Sequence, residues 1–140
     1  MADLYLADTS AWVPYFRRPV RRSLRERIDR LAETEELATC DMVRLELLRG
    51  ARDDAEFLLI EAGLYAAQAL PTSAREWSEA INLGLRLKRA GVNVGAPDLL
   101  IAAVAITHQA LLVHADADFE QIAQHSTLLT EPVFDLLPVA

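Results

Sequence analysis

The segment Leu4-Tyr5-Leu6-Ala7-Asp8-Thr9-Ser10 joins a short apolar run to three residues that favour turns and helix N-caps. It predicts a buried strand over residues 4–7 that ends at Asp8 and leads into a helix. A similar order recurs late in the chain, where the apolar residues 111–113 precede Asp116. Short apolar strands that alternate with helices predict an α/β fold, with a mostly parallel sheet covered on both faces.

Helical periodicity and capping residues account for most of the remaining chain. Pro97 and Asp98 suit the first turn of a helix that is apolar on every side, so we expect that helix at the centre of the fold. Asp41 and Ser73 are predicted N-caps. The other predicted helices span residues 11–16, 20–33, 41–50, 53–67, 73–91 and 119–124, and the other predicted strands span residues 37–39 and 127–129.

The composition predicts one globular domain over residues 1–140, with 52% hydrophobic and 25% charged residues. The longest unbroken apolar stretch, residues 99–106, is shorter than the roughly 20 residues of a membrane span. The N-terminus lacks the basic start and apolar run of a signal peptide. A single cysteine, Cys40, excludes an intramolecular disulfide framework, so we expect a cytoplasmic protein.

Four acidic residues stand where hydrophobic segments begin or end: Asp8, Glu46, Asp98 and Asp116. The ligand site of a parallel α/β sheet lies at the carboxyl ends of its strands, where Asp8 and Asp116 are expected. Clustered carboxylates repel one another, and a divalent cation removes this conflict because hard cations prefer oxygen ligands. Such a cation also activates water and neutralises charge on a phosphate. Phosphodiester hydrolysis is therefore the reaction that best suits an all-carboxylate site.

Each acid also has a purely structural interpretation. Asp8 can cap the following helix, Asp98 can complement a helix dipole, and Asp116 can be a turn residue. Glu46 is harder to explain in this way, because it sits on or beside an apolar helix face where an unpaired carboxylate is costly. The structural interpretations suit single residues better than all four together.

Four short motifs occur in order along the chain. They are Asp8-Thr9-Ser10, Glu46-Leu47-Leu48-Arg49-Gly50, Pro97-Asp98-Leu99-Leu100-Ile101-Ala102-Ala103 and Val113-His114-Ala115-Asp116-Ala117-Asp118-Phe119. Together they resemble the PIN domain, and more narrowly the VapC ribonuclease toxins of bacterial toxin–antitoxin pairs. The resemblance covers nearly the whole chain, and the order and spacing make the set more specific than any one motif.

The resemblance implies a compact α/β/α sandwich with a short, mostly parallel central sheet and a Mg²⁺- or Mn²⁺-dependent endoribonuclease site. Asp8, Asp98 and Asp116 match the family's metal-binding aspartates. Glu46 matches the glutamate that helps to position metal or water. Further positions near the metal are Thr9, Ser10 and Asp118.

The same resemblance implies a VapB-type antitoxin, a structured RNA substrate such as tRNA, and a homodimer or toxin–antitoxin hetero-oligomer. Apolar helical surfaces are the candidate contacts with a partner. They lie around Trp12, Tyr15, Phe16, Phe57 and Leu58. We expect antitoxin binding to block the acidic site.

Seven arginines fall within residues 17–30, although the formal net charge of the chain is −7. Arg18, Arg22 and Arg25 share helical spacing and can receive RNA phosphates. Arg22 can equally pair with Glu26 across one helical turn, so an RNA track and a solvated, salt-bridged face both stay open. The negative net charge argues against a uniform nucleic-acid-binding coat, but not against an enzyme whose acidic site is masked by metal.

Several other side chains have no assigned chemistry. Cys40 is expected to pack in the core rather than act as a nucleophile. Trp12 and Trp77 are expected in the core or on a partner surface. His114 lies near the predicted site without metal-ligand spacing to the other histidines.

Two alternative classes of protein also fit acids at strand ends. Receiver domains and aspartyl-phosphate phosphatases need a lysine near a late strand, whereas the only lysine, Lys88, lies in a predicted helix before Asp98. The remaining alternative is a catalytically idle PIN-like module that binds a protein partner. A metal-dependent cleavage assay separates this alternative from the enzyme.

Overall fold

The computed structural model describes residues 3–138 and, within them, five strands flanked by seven helices. The strands are β1 (Tyr5–Ala7), β2 (Leu37–Cys40), β3 (Gln68–Leu70), β4 (Leu111–His114) and β5 (Thr130–Pro132). The helices are α1 (Thr9–Phe16), α2 (Arg22–Glu33), α3 (Asp41–Arg49), α4 (Asp54–Leu64), α5 (Ala74–Arg89), α6 (Ala96–Thr107) and α7 (Ala117–Gln124), and a 3₁₀ turn spans Phe134–Leu136.

The sheet has the strand order β3-β2-β1-β4-β5, and its pairings are parallel. Tyr5 aligns with Leu37 on one side and with Leu111 on the other. Parallel neighbours need crossover connections, and helices supply them here. This arrangement confirms the predicted α/β/α sandwich with a parallel central sheet. The strand order reverses between β1 and β4, so a crevice is expected at the carboxyl ends of these two strands.

The apolar helix α6 lies in the core, as predicted. Residues 100–105 are all at most 4% exposed, and the helix packs most extensively against α5. α5 is amphipathic because Leu83 and Leu87 are buried whereas Trp77 is 53% exposed. Each large apolar side chain buried in this way contributes roughly 1.5–3 kcal/mol relative to an exposed one. Burial of α6 on all sides fixes its N-terminal turn beside the sheet edge.

The aromatic residues of α1 pack against one another. Trp12 is 1% exposed, and its ring stacks on Phe16 with a centroid distance of 5.3 Å. The core interpretation of Trp12 is therefore confirmed, and this side chain is not available as a partner contact. Among the other apolar residues considered for such contacts, Phe57 and Leu58 on α4 are exposed.

Three predictions about local structure were wrong. β3 was missed because Gln68 and Ala69 are exposed and only Leu70 is buried, which leaves no apolar run to recognise. The last strand lies three residues later than predicted and contains Pro132, which an edge strand tolerates. Asp41 is the first residue of α3 rather than its N-cap; it complements the helix dipole there.

Within residues 3–138, no helix combines the length and the apolar character that crossing a bilayer requires.

Candidate active site

Three of the four predicted acids lie at helix N-termini along one edge of the sheet. Asp8 follows β1 and is the N-cap of α1, and Asp116 follows β4 and is the N-cap of α7. Asp98 lies in the first turn of α6. The partial positive charge of each helix N-terminus favours a carboxylate at these positions. Asp8 therefore caps a helix and Asp98 complements a helix dipole, as the structural interpretations proposed. The same positions bring these acids close to one another.

Asp8 is nearly inaccessible, with 4% of its surface exposed. Its Oδ2 atom accepts hydrogen bonds from the Ser10 backbone nitrogen at 2.9 Å and from Ser10 Oγ at 2.6 Å. Burial raises the pKa of Asp8, the Ser10 bonds oppose this increase, and the nearby Glu46 carboxylate adds to it. The hydrogen bonds thus fix the orientation of the Asp8 carboxylate, and its burial disfavours the negative charge. A bound cation would offset this electrostatic cost.

Ser10 connects the two strand-to-helix turns that carry Asp8 and Asp116. Besides donating to Asp8, its hydroxyl oxygen accepts a hydrogen bond from the Ala115 backbone nitrogen at 2.8 Å. One hydroxyl therefore links the β1–α1 turn to the β4–α7 turn. The sequence placed Ser10 near the site but gave no indication of this bridge, because its two partners are far apart in the chain.

Glu46 projects from α3 toward the same edge and is half-buried. Its Oε1 atom accepts a hydrogen bond from Thr9 Oγ1 at 2.8 Å. This bond explains how a carboxylate is tolerated beside an apolar helix face, because a satisfied polar group costs much less than an unpaired one. It also gives Thr9 the role of orienting Glu46.

Asp98 is the acid whose ionisation is most strongly disfavoured. Its pKa is raised to about 7, mainly by burial and further by the carboxylates of Asp8, Asp116, Asp118 and Glu46 in that order of importance. All four are close enough to act electrostatically on one group. The structure therefore brings together the four predicted acids and the additional Asp118.

The tightest group of ligand atoms consists of one carboxylate oxygen each from Asp98, Asp116 and Asp118, all within 4.8 Å of one another. These hard, anionic oxygens fit a divalent cation. Asp8 and Glu46 lie outside this group and line the adjoining cavity. The innermost group therefore includes Asp118, which the sequence had marked only as a further acid.

The acids open into a cavity of about 710 Å³. Its lining combines acidic and polar side chains with residues from the end of α1, the α1–α2 connection and the last described residues. Its lining comprises Asp8, Thr9, Ser10, Val13, Pro14, Arg17, Arg18, Pro19, Glu46, Asp98, Ala115, Asp116, Leu137 and Pro138.

A family model described as PIN domain matches residues 5–124. The chain belongs to the PIN-domain family. Within this family it is similar to VapC proteins. It is 37% identical over 134 residues to VapC ribonuclease Mb1587 of Mycobacterium bovis, covering 89% of this chain and 96% of that protein. It is 34% identical over 125 residues to ribonuclease VapC51 of Mycobacterium tuberculosis, covering 88% of each. The predicted membership of the VapC group is confirmed.

Solved structures contain the same fold as this PIN domain. VapBC2 from Rickettsia felis, bound to a promoter DNA fragment, aligns with a TM-score of 0.82 and 22% identity over 92% of this chain and 98% of that one. DNA-bound VapBC from Salmonella typhimurium aligns with a TM-score of 0.81 and 19% identity over 94% and 98%. At these identities the likeness concerns the fold alone.

His114 supports the site of this PIN domain from within the core. Its ring is fully buried; Nδ1 lies 3.1 Å from the Asp116 backbone nitrogen and Nε2 lies 2.7 Å from Glu120 Oε1. Thr130 Oγ1 donates to the same Glu120 oxygen at 2.9 Å. Sequence spacing detects metal ligands and could not detect this supporting role.

Cys40 lies in the core of the PIN domain, as expected for a packing residue. It is 1% exposed, and burial raises its pKa to about 11. A thiol in this state is a poor nucleophile at neutral pH because the reactive form is the thiolate. Cys40 therefore does not supply a nucleophile to this site.

Proposed function

We propose that this PIN domain, spanning residues 1–140, is a metal-dependent endoribonuclease toxin of a toxin–antitoxin pair. The observation that supports it most strongly is the crowding of carboxylates at one sheet edge, where the pKa of Asp98 rises to about 7. Such crowding is unfavourable for folding and is explained by a function that uses it. The names of the VapC relatives, which describe ribonucleases, supply the reaction class.

The proposed site residues are Asp8, Glu46, Asp98 and Asp116, with Asp118 as an additional ligand. We propose Mg²⁺ or Mn²⁺ as the ion, because both accept carboxylate and water ligands. When bound, the ion would lower the pKa of a water molecule and offset charge on the phosphate. Asp98, Asp116 and Asp118 offer the closest oxygens for it.

The protein's own contribution is orientation. Ser10 holds Asp8 through two hydrogen bonds, and Thr9 holds Glu46 through one. In the proposed reaction, Glu46 positions the attacking water. The oxygen of this water forms a bond to phosphorus while the bond from phosphorus to the leaving ribose oxygen breaks. The water loses a proton to solvent, and the leaving oxygen takes up a proton from solvent. No side chain forms a covalent intermediate in this scheme.

The proposed partner is a VapB-type antitoxin in the cytoplasm, forming a hetero-oligomer that can include a toxin homodimer. The two solved structures of similar fold from Rickettsia felis and Salmonella typhimurium are VapBC complexes, which motivates this proposal. The exposed residues Phe57 and Leu58 of α4 are candidate contacts. Antitoxin at saturation should abolish RNA cleavage, and unchanged cleavage would argue against inhibition through the acidic site.

The decisive experiment compares metal-dependent RNA cleavage by the intact chain and by Asp8→Asn. Asparagine retains the N-cap of α1, so the variant should fold normally while losing a charged ligand. Asp53→Asn is the matched control, because Asp53 caps α4 and does not line the cavity. We expect cleavage to fall at least roughly 100-fold in Asp8→Asn, a typical loss for a residue that stabilises the transition state, and to persist in Asp53→Asn.

Equal cleavage by Asp8→Asn and the intact chain would refute the catalytic assignment. No cleavage by either folded protein would favour the idle binding module. For an active protein, sequencing of RNA ends after brief expression would identify the RNA. We expect a structured RNA such as tRNA.

A further inference from the structure

Two arginines of the arginine-rich segment, residues 17–30, form ion pairs with glutamates. Arg22 pairs with Glu26 at 2.7 Å on the exposed side of α2. Arg27 makes a two-pronged contact with Glu131, at 2.8 and 2.7 Å, and so joins α2 to β5. An RNA phosphate would have to displace a carboxylate to bind either guanidinium. These contacts support the salt-bridge interpretation for this part of the segment.

Arg21 has a different role, because it holds one wall of the acidic cavity. Its Nη1 atom donates to the backbone oxygen of Asp135 at 2.7 Å and to that of Leu137 at 3.3 Å. These bonds hold the chain near Leu137 beside the start of α2. Leu137 and Pro138 can then line the same cavity as the carboxylates.

Arg17 and Arg18 lie at the end of α1 and line the same cavity as the acids. Both are exposed, and neither has an ion pair among residues 3–138. Two cations beside four clustered acids offer a place where a polyanion can approach an otherwise repulsive site. The apolar residues Val13, Pro14 and Pro19 surround them and can contact sugar or base.

We propose that Arg17 and Arg18 form the phosphate subsite that holds a single-stranded segment of the RNA next to the carboxylates. This proposal rests on the proposed endoribonuclease function. The guanidinium fork matches phosphate oxygens in geometry and charge. The subsite binds a phosphate that flanks the scissile one, so it contributes to RNA affinity independently of metal. Because phosphates are common to all RNA sequences, these arginines supply affinity rather than sequence preference.

The test is binding of a short, fluorescein-labelled single-stranded RNA of mixed sequence, measured by anisotropy at several salt concentrations between roughly 50 and 200 mM. Asp98→Asn serves as the background, so that cleavage does not interfere. Arg17→Gln and Arg18→Gln are compared with Arg30→Gln. Arg30 is exposed and lies eight residues beyond Arg22, about 12 Å along the axis of α2. The three substitutions remove the same charge.

Each subsite variant should weaken binding roughly tenfold, as expected for loss of one charge-assisted hydrogen bond. The slope of log affinity against log salt should become shallower by about 0.7 per contact for a single strand. Arg30→Gln should retain the slope of the background protein. Arg18→Lys should keep the slope but lose part of the affinity, because lysine retains the charge without the fork. Melting temperatures verify that the variants are folded.

Equal behaviour of Arg17→Gln, Arg18→Gln and Arg30→Gln would overturn the proposal in favour of diffuse electrostatic attraction. Unchanged binding in both subsite variants would overturn it as well. If either subsite glutamine variant unfolds, the corresponding lysine variant replaces it and must show weaker binding. Absence of cleavage by the unmodified chain would refute the proposed function but leave this binding result interpretable.

Discussion

The Nδ1 atom of His114 accepts a hydrogen bond from the backbone nitrogen of Asp116 at 3.1 Å. This geometry requires Nδ1 to carry no proton and leaves the proton on Nε2, which donates to Glu120 at 2.7 Å. Asp116 is therefore held through its backbone as well as by its position at the N-terminus of α7. A fully buried ring thus helps to fix the backbone of one proposed metal ligand.

Two substitutions of His114 can separate its hydrogen bond with Asp116 from its hydrogen bond with Glu120. Asparagine can offer its Oδ1 near the position of Nδ1 and keep the bond to Asp116, whereas glutamine can reach Glu120 but lacks that acceptor. We expect His114→Gln to lower kcat roughly 10- to 100-fold, as losses of supporting contacts to metal ligands do. His114→Asn should retain more of the activity, and KM should change little in either variant. Indistinguishable kcat values would indicate that the ring acts only by packing.

Asp98→Asn should stabilise the protein in the absence of metal. The pKa of Asp98 in the folded protein, about 7, lies above its ordinary value of 3.8, so the folded state holds more protons between these values. Stability linked to this group is therefore lost as pH rises from about 4 through 7. Urea unfolding in EDTA should show a larger advantage of the variant at pH 8 than at pH 5. A stability difference between the two proteins that is equal at pH 5 and pH 8 would show that ionisation of Asp98 is not its cause.

Divalent metal should reverse the order of stability, so that the intact chain becomes more stable than Asp98→Asn. Mg²⁺ or Mn²⁺ should raise the melting temperature of the intact chain, because an ion that binds the folded state shifts the unfolding equilibrium. The same addition should affect Asp98→Asn much less. A rise of equal size in the two proteins would place the stabilising ion elsewhere.

Ser10→Ala should weaken both the fold and the site. The substitution removes the partner of the half-buried Ala115 nitrogen, and loss of one such hydrogen bond costs about 0.5–1.5 kcal/mol. It also removes hydrogen bonding that opposes the rise in the pKa of Asp8. Urea unfolding and RNA cleavage should both be impaired. Ser23→Ala, an exposed position on α2, is the matched control and should change stability by no more than about 0.5 kcal/mol.

The N-terminus of α5 provides a prediction outside the active site. Glu76 is 1% exposed, and hydrogen bonds from Ser73 and His108 lower its pKa to about 2, with Ser73 as the larger cause. The group therefore stabilises the fold above its ordinary pKa of 4.5, and this stability is lost as pH falls toward 2. Glu76→Gln should cost about 1 kcal/mol at pH 7, similar to loss of a helix cap. The difference measured by urea unfolding should shrink at pH 3, and cleavage at pH 7 should be retained.

The sequence was most informative where one residue carries a local signal. Asp8 and Asp116 could be placed because each comes shortly after an apolar strand, and Asp98 because it lies in the first turn of an apolar helix. The bridge from Ser10 to Ala115 and the wall formed by Leu137 could not be predicted, since both depend on contacts between distant segments. The arginine segment was ambiguous for the same reason. Helical spacing revealed the pair between Arg22 and Glu26 but not which guanidinium groups line the cavity.

Two proposed metal ligands, Asp8 and Asp116, each use one carboxylate oxygen to accept a hydrogen bond from the first turn of a helix. Asp8 uses Oδ2 to bind the first turn of α1, and Asp116 uses Oδ1 to bind the first turn of α7 through Asp118. The other oxygen of each group is not needed to begin a helix. We therefore expect the domain to release and reload its ion repeatedly without unwinding either helix. The metal-free protein would then stay folded and would regain activity when metal binds again.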